Sequence, residues 1–239
     1  MANSSIAHLS LSAFMLTGGV AGGWALTDKL AGDEAAVSFL RVGTMMLIAL
    51  LTSQLILARM GQKRVAHLIL YNIAFIFAIV GFLLCLILPL LWVPSIGLEV
   101  KLLLSLMSLV LWYSNVSKGI EIMELKWDET AKKSLFRFYS KHEGAINWTG
   151  LLKSLKLSVV VYIPGVPKSF DAAISILVVA FMLAGLSLRN TFPIFSVFAW
   201  GIPMIVAIST IMQMIGFGVA QFMKLTALEK QDGVIIRPA

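Results

Sequence analysis

The chain has 239 residues, of which 59% are hydrophobic and 13% are charged, and its mean hydropathy is +0.92. Because a soluble domain usually carries about a quarter of its residues as Asp, Glu, Lys and Arg, this composition excludes an ordinary soluble enzyme and predicts an integral membrane protein. The net charge of +7 comes from basic residues that flank apolar runs, which is typical of membrane topology, so we expect no nucleic-acid partner.

The apolar runs predict an all-α, polytopic bundle of about six transmembrane helices, since each span needs about 20 apolar residues. The predicted spans are 6–26, 39–58, 66–93, 100–116, 172–188 and 192–223. Residues 1–116 thus hold the first four spans, 117–170 form a hydrophilic segment, 171–223 hold the last two spans and 224–239 form a tail. Six spans place both termini on the same side of the membrane.

The first span contains two glycine pairs, in the stretch LTGGVAGGWAL. A phosphate-binding loop needs Lys and then Ser or Thr directly after its last glycine; here Trp24 follows, which excludes a nucleotide site. Gly18 and Gly22 form one GxxxG pattern, which allows another helix to approach closely. Gly19 and Gly23 form a second pattern that overlaps the first. We therefore expect helix packing at these glycines, with a locally unwound, pore-lining stretch as the alternative.

Lys and Arg concentrate on one side of the predicted spans. That side holds Arg59, Lys63, Arg64, the nine basic residues from position 118 to 168, and Lys224, Lys230 and Arg237. The other side holds Lys29, Arg41, Lys101 and Arg189. Since cytoplasmic loops are enriched in Lys and Arg, we expect the hydrophilic segment and both termini to be cytoplasmic, in the inner membrane of a bacterium.

The first half of the hydrophilic segment is predicted to continue the fourth span as one long helix. Between Gly97 and Gly144 the only helix-breaking residue is Gly119, which costs about 1 kcal/mol. Side chains that recur at helical spacing on this extension form one partner-binding face. Its members are Leu135, Phe138, Tyr139 and His142. The face is expected to contact either another protein or the rest of the same chain.

The second half of the hydrophilic segment is predicted to form an amphipathic helix at the membrane interface. Leu152, Leu155 and Val159 align on one side, and lysines stand between them. Trp148 is expected to anchor this helix at the lipid headgroups. The sequence PGVP then turns the chain into the fifth span.

The last predicted span, 192–223, is longer than a bilayer requires. Its 32 residues would extend roughly 48 Å, against a hydrocarbon core of about 30 Å. Because proline removes a backbone donor and clashes with the preceding helical turn, we predict a break or hinge at Gly201 and Pro203.

The spans contain uncharged polar side chains but lack acidic residues near their middles, as ion-coupled transporters usually have. Asn72, Asn115 and Gln213 are the candidates for a polar path, although hydrogen bonds between helices also explain them. The three histidines are not spaced as metal ligands, and the single cysteine cannot form a disulfide or a thiolate cluster. We expect no metal, no cofactor and no catalytic constellation.

These features favour a non-catalytic membrane protein that acts by binding another membrane protein. It would be an accessory subunit of a membrane complex or an immunity protein against a membrane-targeting toxin. Its expected partners are membrane lipids and another membrane protein or a second copy of itself. The alternative is a passive channel or transporter whose path is lined by the polar uncharged residues.

Overall fold

A computed structural model describes residues 2–60, 64–131, 135, 137–188 and 191–239. Lys63, Lys132, Lys133 and Arg189, which the orientation prediction uses, lie outside the described residues. The α-helices are α1 (Ala2–Ala31), α2 (Asp33–Arg59), α3 (Val65–Ile87), α4 (Pro89–Trp92), α5 (Leu98–Lys126), α6 (Trp148–Leu155), α7 (Asp171–Leu188) and α8 (Pro193–Asp232). The short strands are β1 (Tyr139–Ser140), β2 (Ala145–Ile146) and β3 (Arg237–Pro238).

The structure confirms a helical bundle with several membrane-spanning helices. Among the described residues, the helices long and apolar enough to cross a bilayer are Ile6–Ala31, Asp33–Arg59, Val65–Trp92, Leu98–Glu129 and Phe195–Asp232. The predicted fifth span corresponds to α7, whose stretch Asp171–Gly185 is a shorter apolar helix. The presence of several helices of spanning length and composition is therefore confirmed, whereas a total of six spans stays a prediction.

The last helix shows no break at the predicted hinge. α8 runs without interruption from Pro193 to Asp232, with Pro203 inside it. At about 1.5 Å per residue its 40 residues extend roughly 60 Å, about twice the thickness of the hydrocarbon core of a bilayer. One missing backbone donor is tolerated in a spanning helix because contacts with neighbouring helices compensate for its loss. Here Gly201, two residues before Pro203, packs directly against Leu90. The expectation of an interfacial piece followed by a separate span is thus corrected.

A compact apolar cluster lies where α3 begins and where α5 and α8 end. Its buried residues are Val65, Ile69, Met123, Trp127, Ile146, Trp148, Leu151, Leu155, Phe217, Ala220, Leu225 and Ile236. We call this cluster the terminal core. The terminal core connects α6 and the strands to the ends of three long helices that are far apart in the sequence. The lysine-rich end of the bundle is therefore a folded unit.

The chain's last residues are part of this unit. β1 pairs antiparallel with β2, and β2 pairs parallel with β3. The side chain of Ile236 is fully buried in the terminal core, and its backbone amide donates to the Glu229 carboxylate at 2.9 Å. The segment 224–239, predicted as a tail, is therefore the end of α8 followed by a docked strand.

The helical extension predicted after the fourth span is shorter than expected. α5 continues to Lys126 and then through a π-helical turn, Trp127–Ala131, but Tyr139 lies on β1 and His142 in the turn before β2. Gly144 reverses the chain there with a φ of 58°, which glycine adopts without strain. Leu135, Phe138 and Tyr139 pack against the terminal core, whereas His142 is exposed. The face that they were predicted to form thus contacts the same chain.

The amphipathic helix is present as α6, but its apolar side faces protein. Asn147 caps it, since the side-chain oxygen accepts from the Gly150 amide at 2.9 Å. Trp148, Leu151 and Leu155 are buried in the terminal core, and Trp148 is 3% exposed. The prediction that Trp148 anchors the helix in lipid headgroups is therefore wrong, because the apolar side of α6 covers the ends of α5 and α8 instead.

Candidate functional site

Two amide side chains meet where α5 crosses α8. Asn115 of α5 and Gln213 of α8 are both fully buried, and Gln213 Nε2 donates to Asn115 Oδ1 at 2.7 Å. The helices approach closely because glycine occupies both sides of the crossing. A Cβ atom at Gly119 would meet the backbone of Gln213, and one at Gly216 would lie 3.0 Å from the Gly119 Cα atom.

The same two amides hold a stretch of extended backbone that follows α6. Gln213 pairs with Val160 as a neighbouring strand would: its Nε2 donates to the Val160 carbonyl at 2.6 Å, and its Oε1 accepts from the Val160 amide at 3.0 Å. Asn115 Nδ2 donates to the Tyr162 carbonyl and to the Leu111 carbonyl, both at 2.9 Å. We call Asn115, Gln213, Val160 and Tyr162 the amide clasp.

Every polar atom of the two amide side chains has at least one hydrogen-bond partner. Each NH₂ group donates two hydrogen bonds and each amide oxygen accepts one. Residues 157–163 have neither helical nor strand structure, and such backbone is tolerated next to spanning helices only where protein or water satisfies its polar groups. At the edge of the clasp, Lys118 Nζ lies 5.7 Å from the centre of the Tyr162 ring and pairs with Glu121 at 2.8 Å.

The third residue of the predicted polar path lies elsewhere. Asn72 of α3 is exposed on the outer surface of the bundle, whereas Asn115 and Gln213 are inaccessible and bonded to the protein. The structure thus brings two of the three residues together and leaves Asn72 apart. The expected convergence of all three on one accessible cavity is not observed among the described residues.

The glycines of α1 divide into a close pair and an open pair. A Cβ atom at Gly19 would lie 3.2 Å from the backbone of Phe82, and one at Gly23 would meet the Cys85 carbonyl and the Phe39 ring. At Gly22 the nearest atom would be 3.9 Å away, and at Gly18 there is nothing within 4 Å. Helix packing at the Gly19–Gly23 pattern is therefore between α1 and α3, with α2 beside them, and it is internal to the chain.

An ionic contact fastens the end of α8 to the first strand. Tyr139 Oη donates to Asp232 Oδ2 at 2.7 Å, and Lys141 Nζ lies 2.6 Å from Asp232 Oδ1. Burial, followed by the hydrogen bond to the Asp232 carboxylate, raises the pKa of Tyr139 to about 12. Both effects disfavour the tyrosinate.

The described residues contain no group of three His, Cys, Asp or Glu side chains that could hold a metal ion. His8 is stacked on the Phe75 ring, with 4.9 Å between ring centres, and Cys85 is buried in an apolar cluster with Val20 and Phe39. Comparison with known protein families, with characterised proteins and with solved structures finds no match to this chain. The inference of function therefore depends on the geometry of the chain itself.

Sequence reasoning treated Gly119 as a helix-weakening residue and missed its role at the crossing. A signal was present, because each of two spans has a buried amide followed one helical turn later by glycine: Asn115 before Gly119, and Gln213 before Gly216. An amide that supplies hydrogen bonds and a glycine that lets a backbone approach lie on the same helix face at this spacing.

Proposed function

We propose that this chain is a non-catalytic integral membrane protein that acts by binding another membrane protein, as a subunit of a membrane complex or as an immunity protein. We place it in the inner membrane with both termini in the cytoplasm. The concentration of Lys and Arg around the terminal core supports this orientation.

The observation that carries the proposal is the open face of α5. In the apolar window of α5 11% of the residues are buried, against 44% in α8. Leu102, Leu106, Leu109 and Tyr113 recur at intervals of three and four residues and form one outward stripe, in which Tyr113 is 77% exposed. A stripe of large apolar side chains on a helix fixed firmly to α8 is a suitable surface for a helix of another membrane protein.

Site-specific photocrosslinking in native membranes tests this proposal. A photoreactive amino acid at Leu106 or Tyr113 is expected to form a discrete adduct with one membrane protein, present in stoichiometric amount. Phe14 on α1 is 78% exposed and Met45 on α2 is 72% exposed, so the same probe at those positions serves as the matched control and is expected to react with lipid. Adducts with lipid alone at all four positions would contradict the proposal.

The geometry favours this function over a passive channel. A path needs polar atoms that water can reach, whereas the amides of Asn115 and Gln213 are buried and bonded to backbone.

A further inference from the structure

A second stripe on α5 lines a cleft at the end of the bundle opposite the terminal core. Lys101, Ser105, Ser108 and Trp112 follow one another at intervals of four, three and four residues, so they share one helix face. The cleft has a volume of about 300 Å³, is partly open, and is bounded by residues of α3, α4 and α8. This stripe adjoins the outward stripe of Leu102, Leu106, Leu109 and Tyr113, of which Leu109 also lines the cleft.

The interior of the cleft is apolar. Its opposite walls are formed by Leu84, Ile87, Leu91 and Ile205. Ser108 does not make the wall polar, because its hydroxyl donates to the Leu104 carbonyl at 2.7 Å. From Lys101 to Trp112 the α5 wall extends roughly 16 Å, given about 1.5 Å per residue. A long and narrow apolar space of this kind suits an aliphatic chain.

The mouth of the cleft carries a positive charge. Within the described part of the chain Lys101 has no acidic partner, and Glu99, two residues earlier, points to a different side of the helix. At the inner end, Trp112 Nε1 is buried and has no hydrogen-bond partner among the described residues. The cleft therefore combines an apolar interior with an ammonium group at its entrance that has no acidic partner among the described residues.

We propose that this cleft binds one acyl chain of an anionic phospholipid, whose phosphate pairs with Lys101 Nζ. The lysine lies near the first turns of α5, at the level where a spanning helix meets the headgroups, so the phosphate and the chain are held in register. This inference is independent of the proposed function, since it requires no partner protein.

Native mass spectrometry of the full chain in detergent, titrated with phosphatidylglycerol or phosphatidylcholine, tests the proposal. We expect one phosphatidylglycerol molecule to bind more tightly than the others and more tightly than phosphatidylcholine. Lys101→Gln should weaken this binding about three- to fivefold, as expected for loss of a partly exposed ion pair. Lys29→Gln, which changes an exposed lysine in the last turn of α1, is the matched control and should leave it unchanged.

A second readout locates the chain inside the protein. Phosphatidylglycerol with brominated acyl chains should quench a saturable part of the tryptophan fluorescence, and Trp112→Phe should remove that part. Trp92→Phe is the control, because Trp92 packs in a different cluster, against Phe39. Ser105→Phe, which fills the cleft, should abolish the saturable binding.

Equal affinity for the two lipids, or a Kd that is unchanged in Lys101→Gln, would overturn the proposal. So would saturable quenching that persists in Trp112→Phe. The Lys101→Gln variant keeps the test valid even if Ser105→Phe does not fold, because it changes a side chain at the entrance and leaves the packed walls untouched.

Discussion

The α1–α3 crossing and the α5–α8 crossing both depend on glycine, but they are stabilised differently. At the first, Gly19 and Gly23 lie against the backbone and aromatic rings of neighbouring helices, and the contact is apolar. At the second, Gly119 and Gly216 bring two backbones together beside the amide clasp. Close packing of apolar groups thus joins α1 to α3 at the first crossing, whereas the second crossing adds buried hydrogen bonds.

The two crossings differ in which parts of the chain they hold in place. An apolar crossing fixes two helices relative to each other. The crossing with the clasp also fixes residues 157–163, and through them the connection from α6 to α7. We therefore expect changes at the second crossing to affect both helix association and the structure of this connection.

The largest effect is expected from Gly216→Ala. A Cβ atom there would meet the Val116 carbonyl and lie 3.0 Å from both the Gly119 Cα atom and the Ile120 nitrogen, so α5 and α8 must separate. We expect the free energy of unfolding, measured in mixed micelles, to fall by about 3 kcal/mol or more. Gly218→Ala is the matched control: its Cβ would meet the Ile73 side chain, which can move, so the loss should be smaller. Equal losses in the two variants would contradict the backbone-contact explanation.

Gln213→Leu isolates the hydrogen bonds of the clasp. It keeps the bulk of the side chain but leaves the amide and carbonyl of Val160 and the oxygen of Asn115 unpaired, at a cost of about 2–3 kcal/mol in total. Limited proteolysis should then cut residues 157–163 at lower protease concentration.

Gln54→Leu serves as the control for this change. Gln54 is also fully buried, but its Oε1 has no partner among the described residues and its Nε2 makes a single bond, to Ala74. Its replacement should change stability by less than about 1 kcal/mol. If both variants behaved alike, the distinction between the clasp and an ordinary buried amide would be lost.

At the apolar crossing, Gly23→Ala and Gly18→Ala form a matched pair. A Cβ atom at Gly23 would collide with the Cys85 carbonyl and the Phe39 ring, whereas at Gly18 it would meet nothing within 4 Å. We expect Gly23→Ala to lower the free energy of unfolding by about 2 kcal/mol and Gly18→Ala to leave it nearly unchanged. Neither should alter the proteolysis of residues 157–163, in contrast to Gln213→Leu.

The sequence predicted much of the first half of the chain because hydropathy and the GxxxG pattern are local signals. It placed one apolar span in each of α1, α2, α3 and α5, although several ends differ by four to ten residues, and it identified the α1 glycines as a packing surface. It did not distinguish Gly19 and Gly23 from Gly18 and Gly22, because that choice depends on the direction from which α3 approaches.

The second half was harder to predict because its structure depends on contacts between distant residues. The bond between Asn115 and Gln213 joins positions 98 residues apart, and no pattern within one span reveals it. Pro203 was given too much weight, since its local effect is outweighed by packing along a 40-residue helix. Strand β3 was missed because a two-residue strand has no periodicity, and its position follows from the burial of Ile236.

Tyr139→Phe tests whether the contact between β1 and the end of α8 stabilises the protein. The hydroxyl donates to Asp232, and its removal should lower the free energy of unfolding by about 1 kcal/mol. Because the pKa of Tyr139 is raised to about 12 in the folded protein, from its ordinary value of 10.0, folding favours the protonated phenol. The stabilisation is therefore complete below pH 10 and is lost as the pH rises towards 12.

The Tyr139→Phe variant should lack this tyrosine contribution to alkaline destabilisation. The contribution can be measured as the difference between the stability profiles of the two proteins from pH 10 to pH 12. Parallel profiles for the two proteins would show that the contact between Tyr139 and Asp232 does not contribute to the stability of α8.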